Sequence, residues 1–313
     1  MTRILFLFLD GIGLGTNDPA INPLARARMP HLRSLLNGHP LIASATPFEG
    51  KWASLAALDA GLGVSGLPQS ATGQAVLLTG VNIPAELGYH DGPKPNPAVG
   101  RYLTDGQTLF SWLHAKGRAA ALLNAYPPRY FASIASGKRM YSAIPLAVVS
   151  AGYPLFTQED LYAGRALSAD FTGLGWRTML GLTEAPLLSA QEAGKRLGSL
   201  AQGYEFSLFE YWASDYAGHK QDMEWAVRQL EALDDVLNGL LSVWDMDADL
   251  ILMTSDHGNM EDLSTRRHTN ARVPALVIGH QHLQFSKGLK SLTDIAPRIH
   301  GWLERCEPED ESR

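Results

Sequence analysis

Short, wholly apolar runs bounded by turn residues recur along the chain, and between them lie segments whose apolar positions return every three to four residues. The runs are too short for helices and lack the polar alternation of a half-wet sheet, so they predict strands buried on both faces. Six segments are read this way: Ile4–Leu9, Pro40–Ala45, Ala119–Leu123, Glu205–Trp212, Asp249–Thr254 and Val273–Ile278. Helices are expected at Met29–Asn37, Thr72–Leu78, Thr108–Lys116, Ala190–Leu200, Met223–Val243 and Leu292–Glu304. In the longest of these Trp225, Leu230, Leu233, Val236, Leu237, Leu240 and Leu241 recur at helical spacing with acids between them, a core role that needs no ligand. The alternation predicts an α/β fold, a three-layer, mostly parallel sheet flanked by helices.

Between Val81 and Ser189 the pattern changes to many prolines and glycines, scattered aromatics and few clean periods. Residues 84–188 are therefore expected to form an inserted cap, a smaller substrate-recognition domain, with residues 1–83 and 189–313 as the core.

Composition narrows the partners. The 313 residues carry 32 acidic and 26 basic side chains, a formal charge of −6, so the overall field does not favour nucleic acid. Any phosphate chemistry must come from local groups. The lone Cys306 excludes an intramolecular disulfide, and a cytoplasmic location is expected. Ile4–Leu9 is shorter than a secretory apolar region and runs straight into Asp10-Gly11, which suits a strand. No run approaches the roughly 18–20 apolar residues of a membrane span, and the polar tail from Cys306 to Arg313 is expected to fray.

Three apolar strands end in side chains able to hold a metal: ILFLFLD at Asp10, FSLFEYWASD at Asp215, and LILMTSDH at Asp256-His257. In open α/β sheets the ligand site lies beyond the carboxyl ends of the strands, where these acids would converge. Asp215 and His219, spaced i, i+4, can face one point from a helix. His268 lies just ahead of the strand VPALVI. Taken singly, each has a plainer role as a turn, cap or surface residue. Together they supply carboxylate oxygens and imidazoles in the mixture that binds Zn²⁺ or Mn²⁺, in a number that suits two adjacent divalent ions. Ser70, in GLPQSATGQAVLLTG, precedes a helical run and is either an N-cap or a nucleophile at the positive end of that helix, with Thr72 as its competitor.

These motifs together resemble the alkaline phosphatase superfamily, and within it the cofactor-independent phosphoglycerate mutase and phosphopentomutase branch. The matching residues are Asp10-Gly11, Ser70 with Gly73, Asp215-Tyr216-Ala217-Gly218-His219, Ser255-Asp256-His257-Gly258-Asn259 with Glu261, and His268-Thr269 leading to Val273-Pro274. The resemblance covers about residues 1–80 and 190–313 and implies an alkaline-phosphatase-like core. It implies one metal among Asp10, Ser70, Asp256 and His257 and a second among Asp215, His219 and His268, with Ser70 forming a phosphoserine. The chain departs from the branch at Gln74, where a histidine is usual, and at Ala71, where the glycerate mutases carry an acid.

The expected function is two-metal phosphoryl transfer on a small-molecule phosphate ester: first hydrolysis of a phosphomonoester, alternatively a phosphomutase. A phosphodiesterase, a sulfatase-like hydrolase and a metal-binding protein without turnover are the remaining readings. Gln74, Arg129, Lys138 and Arg139 are candidates for holding substrate, while Tyr126, Tyr130 and Phe131 suit stacking or local packing. The oligomeric state is not set by the sequence.

Overall fold

The computed structural model describes residues 2–305, so the tail from Cys306 to Arg313 lies outside the described residues. Seven strands form one sheet: β1 (Ile4–Leu9), β2 (Phe48–Glu49), β3 (Ala53–Leu58), β4 (Ala120–Leu122), β5 (Phe206–Tyr211), β6 (Leu250–Thr254) and β7 (Val273–Ile278). Their order is β2-β3-β7-β6-β1-β5-β4. The block β4-β5-β1-β6 is parallel, whereas β7 runs against both β6 and β3. The sheet is thus mixed, with helices on both faces.

Alternation along β1 shows why its run is apolar throughout. Ile4, Phe6 and Phe8 enter one buried cluster, and Leu5, Leu7 and Leu9 enter the other. On the first face lie Ser70–Thr79, Pro97–Thr104, Leu109–Ala115, Ala143–Ser150 and Ile295–Glu304; on the second, Pro30–Leu35, Ala190–Ala201 and Met223–Leu241. Each fully buried Leu or Phe contributes about 1.5–3 kcal/mol.

One sequence expectation is corrected. Pro40–Ala45 is not a strand: it bends into a 3₁₀ turn at Ala43–Ala45, with Leu41 and Ile42 buried without strand partners. Pro40 has no N–H to give to a ladder, which disfavours that placement. The strand lies further on, at β3, whose small residues ASLAAL carry little β propensity and gain their place by pairing with all six residues of β7.

The division drawn at residues 84 and 188 does not coincide with a break in packing. Within that span β4 is an edge strand of the main sheet, and Val99, Leu103, Phe110, Leu113 and Val148 share a cluster with Phe6 and Phe8. A separate small cluster of Ala125, Leu161, Ala166, Trp176 and Ala185 lies later in the segment.

Candidate metal centre and nucleophile

The site is built at the carboxyl edge of three adjacent parallel strands. β1 pairs β5 and β6 in a register that sets Phe8 opposite both Glu210 and Thr254. Asp10, Asp256 and the helix carrying Asp215 therefore emerge side by side. Because β7 is antiparallel to β6, its start lies at this same edge, which brings in His268. Gly11 permits the close approach of the Asp215 helix: it has φ +68°, and a Cβ there would lie 2.7 Å from Asp215 Oδ1.

Ser70 is the first residue of the helix Ser70–Thr79, and Gln69 occupies the cap position without a side-chain cap bond. The N-cap alternative for Ser70 thus falls away. Its Oγ is instead 3.0 Å from His257 Nε2. The competitor Thr72 is engaged elsewhere: its hydroxyl donates to Gln69 O (3.1 Å) and accepts from the Asp91 N–H (3.2 Å).

Two groups of ligand-competent atoms converge. Asp215, His219 and His268 form one; Asp10, Asp215 and His257 form the other, with the chosen atoms of each group within 4.8 Å of one another. Asp215 thus stands between the two. His219 Nε2 is 3.3 Å from Asp215 Oδ2, and His268 Nε2 is 3.7 Å from Asp215 Oδ1. His257 Nε2 is 3.4 Å from Asp10 Oδ1 and 3.6 Å from Asp256 Oδ2, which places Asp256 beside the second group.

The ring orientations fit metal binding. Nδ1 of His219 faces Arg266 O (2.8 Å), Nδ1 of His268 faces Pro68 O (2.7 Å) and Nδ1 of His257 faces Gly258 O (3.3 Å). A carbonyl only accepts, so Nδ1 carries a proton and Nε2 of each ring points inward, able to donate when the ring is charged and to ligate a metal when it is neutral. His219 Nε2 and His268 Nε2 are 3.3 Å apart, a separation at which a proton or a cation must lie between them. Asp10 Oδ1 is buried and has no hydrogen-bond partner. An orphaned carboxylate oxygen beside inward Nε2 atoms is what a divalent ion would satisfy.

A second set of contacts holds the ligands in place. Asn259 Nδ2 donates to Asp215 Oδ1 (2.6 Å) and to Asp215 O (3.1 Å). The buried Glu261 carboxylate accepts from Gly13 N (2.9 Å), Asn259 N (2.8 Å) and the Thr269 hydroxyl, tying the loop after β1 to the loops around β6 and β7. Gln74 donates to Asp256 Oδ2 at 3.3 Å.

Residues 179–303 match the family described as the Metalloenzyme superfamily. The matched segment is similar to that superfamily and holds Asp215, His219, Asp256, His257 and His268. A 2,3-bisphosphoglycerate-independent phosphoglycerate mutase of Salmonella choleraesuis (strain SC-B67) is 32% identical over 125 residues, 38% of this chain but 22% of the mutase. The chain thus spans about a fifth of the length of that curated relative. Among solved structures, the PH0037 protein of Pyrococcus horikoshii superposes with a TM-score of 0.58 at 14% identity, covering 98% of both chains. The alkaline phosphatase of the Antarctic bacterium TAB5 gives 0.52 at 12% identity, over 98% of this chain and all of the other. At such identities the likeness is one of fold, and the fold is alkaline-phosphatase-like.

Burial sets the charge balance of this site. Desolvation, reinforced by Asp256 and Asp215, pushes the Asp10 carboxyl well above the usual range. Burial, with the charge of Asp215 behind it, lifts Asp256 to about 7, and burial lowers His257 to about 4. At Asp215 burial alone would raise the carboxyl, but the hydrogen bonds from His219 and Asn259 and the charge of His257 outweigh it and hold it at about 2. The hydrogen bond to Asp215 raises His219 in turn. Crowded acids that resist ionisation together need a cation to be charged at neutral pH.

A cleft of about 690 Å³ opens from the site and is lined by Asp10, Asp215 and His219 at one end. Arg129 and Arg139 line it; Lys138 is exposed and does not. Sequence reasoning missed three of its walls: Trp176, Trp212 and Tyr216. It also missed Glu210, whose signal was a single acid inside the apolar run FSLFEYW. Among the described residues no helix is long and apolar enough to cross a membrane.

Proposed function

We propose that this protein is a two-metal phosphoryl-transfer enzyme that hydrolyses a small phosphate monoester through a phosphoserine on Ser70. The observation that carries the reading is the uncapped Ser70 hydroxyl, 3.0 Å from His257 Nε2 at the positive end of a ten-residue helix. Asp10, Asp215 and His257, with Asp256 beside them, would hold one ion, and Asp215, His219 and His268 the other. Mn²⁺ and Zn²⁺ both suit imidazole and carboxylate donors. When bound, such ions lower the pKa of the serine hydroxyl and neutralise charge on the phosphoryl oxygens.

The chain's own groups do the rest. Ser70 Oγ attacks phosphorus and loses its proton, the bond from phosphorus to the ester oxygen breaks, and the alcohol leaves with a proton from solvent. Water then cleaves the phosphoserine and restores Ser70 with release of inorganic phosphate. Asn259 and Glu261 fix Asp215 and the surrounding loops, so little reorganisation is needed as charge develops. The stretch from Asn124 to Leu180, inside the proposed cap segment 84–188, supplies cleft walls that would select the ester. The single cysteine of the sequence suits a cytoplasmic site of action.

A phosphomutase is the second reading, favoured by the 32% identity to a phosphoglycerate mutase over 125 residues. The two differ in the acceptor that relieves the phosphoserine. Protein reconstituted with Mn²⁺ or Zn²⁺ is assayed against sugar, nucleotide and glycerate phosphates, scoring free phosphate and positional isomers. Free phosphate supports the hydrolase and isomers the mutase; no turnover of any ester with both ions bound ends both readings.

A further inference from the structure

Glu210 lies on β5 opposite Phe8, one pleat below Asp10, on the sheet face that carries Phe206 and Leu208 and looks toward the Ser70 helix. An acid here has no role in the apolar core, and it is 8% exposed, opening only into the cleft. Its backbone is locked: Asn124 Nδ2 donates to Glu210 O and Glu210 N donates to Asn124 Oδ1, both at 2.8 Å. This pair continues the β4–β5 edge just past Leu122. The carboxylate is held in place by the sheet.

Beside it in the cleft wall stand Tyr126 and Tyr130, with ring centroids 4.5 Å apart. Both hydroxyls are buried: that of Tyr126 faces the Glu210 carboxylate, and that of Tyr130 has no hydrogen-bond partner among the described residues. The Arg139 guanidinium lies over the Tyr130 ring at 4.8 Å. Trp176, Trp212 and Tyr216 complete the wall. Leaving the Tyr130 hydroxyl unpaired costs free energy that a bound ligand would recover.

We propose that Glu210, Tyr126 and Tyr130 form the subsite for the organic part of the ester and select a hydroxyl-bearing alcohol over a carboxylate-bearing one. A hydroxyl can donate to Glu210 and accept from a tyrosine hydroxyl, while its C–H faces pack on the aromatic rings. A carboxylate has no proton to donate to Glu210, and an ester without hydroxyls would leave the Tyr130 hydroxyl unpaired. This selectivity rests on the phosphate-ester reading above.

The test is therefore read by binding as well as turnover. Calorimetry on metal-loaded Ser70→Ala protein compares glycerol 3-phosphate, ethyl phosphate, 3-phosphoglycerate and phosphoethanolamine. Glycerol 3-phosphate is expected to bind about tenfold or more tightly than ethyl phosphate, and Glu210→Gln or the double Tyr126→Phe, Tyr130→Phe change should erase most of that ratio. Metal content and thermal unfolding confirm that each variant is folded, and Glu210→Gln keeps the side-chain volume if the tyrosine pair proves fragile. A ratio near one, a ratio untouched by Glu210→Gln, or tighter binding of either of the other two esters overturns the proposal. If none of the four esters binds metal-loaded protein, the phosphate-ester reading itself fails and this subsite falls with it; binding without discrimination removes the subsite alone.

Discussion

Ser70 and His268 separate the two jobs of the site. Ser70→Ala removes the proposed nucleophile and leaves every imidazole and carboxylate of the two groups in place. Metal content near that of the parent is expected, with turnover reduced by about 10³-fold or more. Elemental analysis with a steady-state assay checks both, and near-parental rates would dismiss Ser70. His268→Ala removes one of three ligands in its group and should lower metal content by about one ion per chain. Unchanged stoichiometry would exclude the two-ion arrangement. At this scale much of the site could be read from the chain, because Asp10, Asp215 and Asp256-His257 each end an apolar run. Glu210 could not, since an acid within a strand gives no sign of whether it faces a core, a partner or a cleft.

The helix Ser70–Thr79 is the element on which the nucleophile depends, and it is buried from Ser70 to Leu78. Gly73 lets it approach β6: a Cβ there would lie 2.8 Å from both Asp256 Cβ and Asp256 O. Two effects oppose each other in Gly73→Ala. Helix propensity favours alanine by about 1 kcal/mol, whereas forcing a methyl against fixed backbone costs about 1–3 kcal/mol. The clash should win, so Gly73→Ala is expected to lower the melting temperature and, by shifting Ser70 from His257, to reduce kcat more than it changes metal content. A variant as stable and active as the parent would show that the helix can slide. The elements legible in the sequence were those with dense apolar runs; β7 appears at its predicted bounds, Val273–Ile278. β3 was missed because ASLAAL owes its strand state to its partner, and the proline-rich, aperiodic sequence after residue 84 packs into the common core, a contact that local periodicity does not announce.

For the whole molecule, the buried acids link stability to pH and metal. Glu210 is raised to about 7, first by burial and then by the charge of Asp256. An acid whose carboxyl is raised on folding binds more protons folded than unfolded across that interval. Its contribution is therefore lost as pH climbs from about 4.5 to about 7, amounting to at most about 3 kcal/mol. Asp256 acts in the same sense. His257, lowered to about 4 by burial, acts in the opposite sense up to about pH 6.5, so metal-stripped protein should melt at progressively lower temperature chiefly between about pH 6.5 and pH 7.5. Metal-loaded protein should not show this decline, because cations favour the ionised carboxylates. Glu210→Gln should flatten the metal-free curve; thermal unfolding with and without chelator measures all three. A metal-free melting temperature that rises over the same range would contradict the assigned balance.

The placement of β1 at the centre of the sheet also bears on how the molecule is made. Its partners begin at Phe206 and Leu250, so Ile4–Leu9 leaves the ribosome roughly two hundred residues ahead of its first neighbour. At about 5–20 residues per second this six-residue apolar segment waits some tens of seconds for a partner. The nascent chain is exposed to aggregation throughout that interval, and the candidate site, which draws on residues from Asp10 to His268, comes together only after His268 has been made.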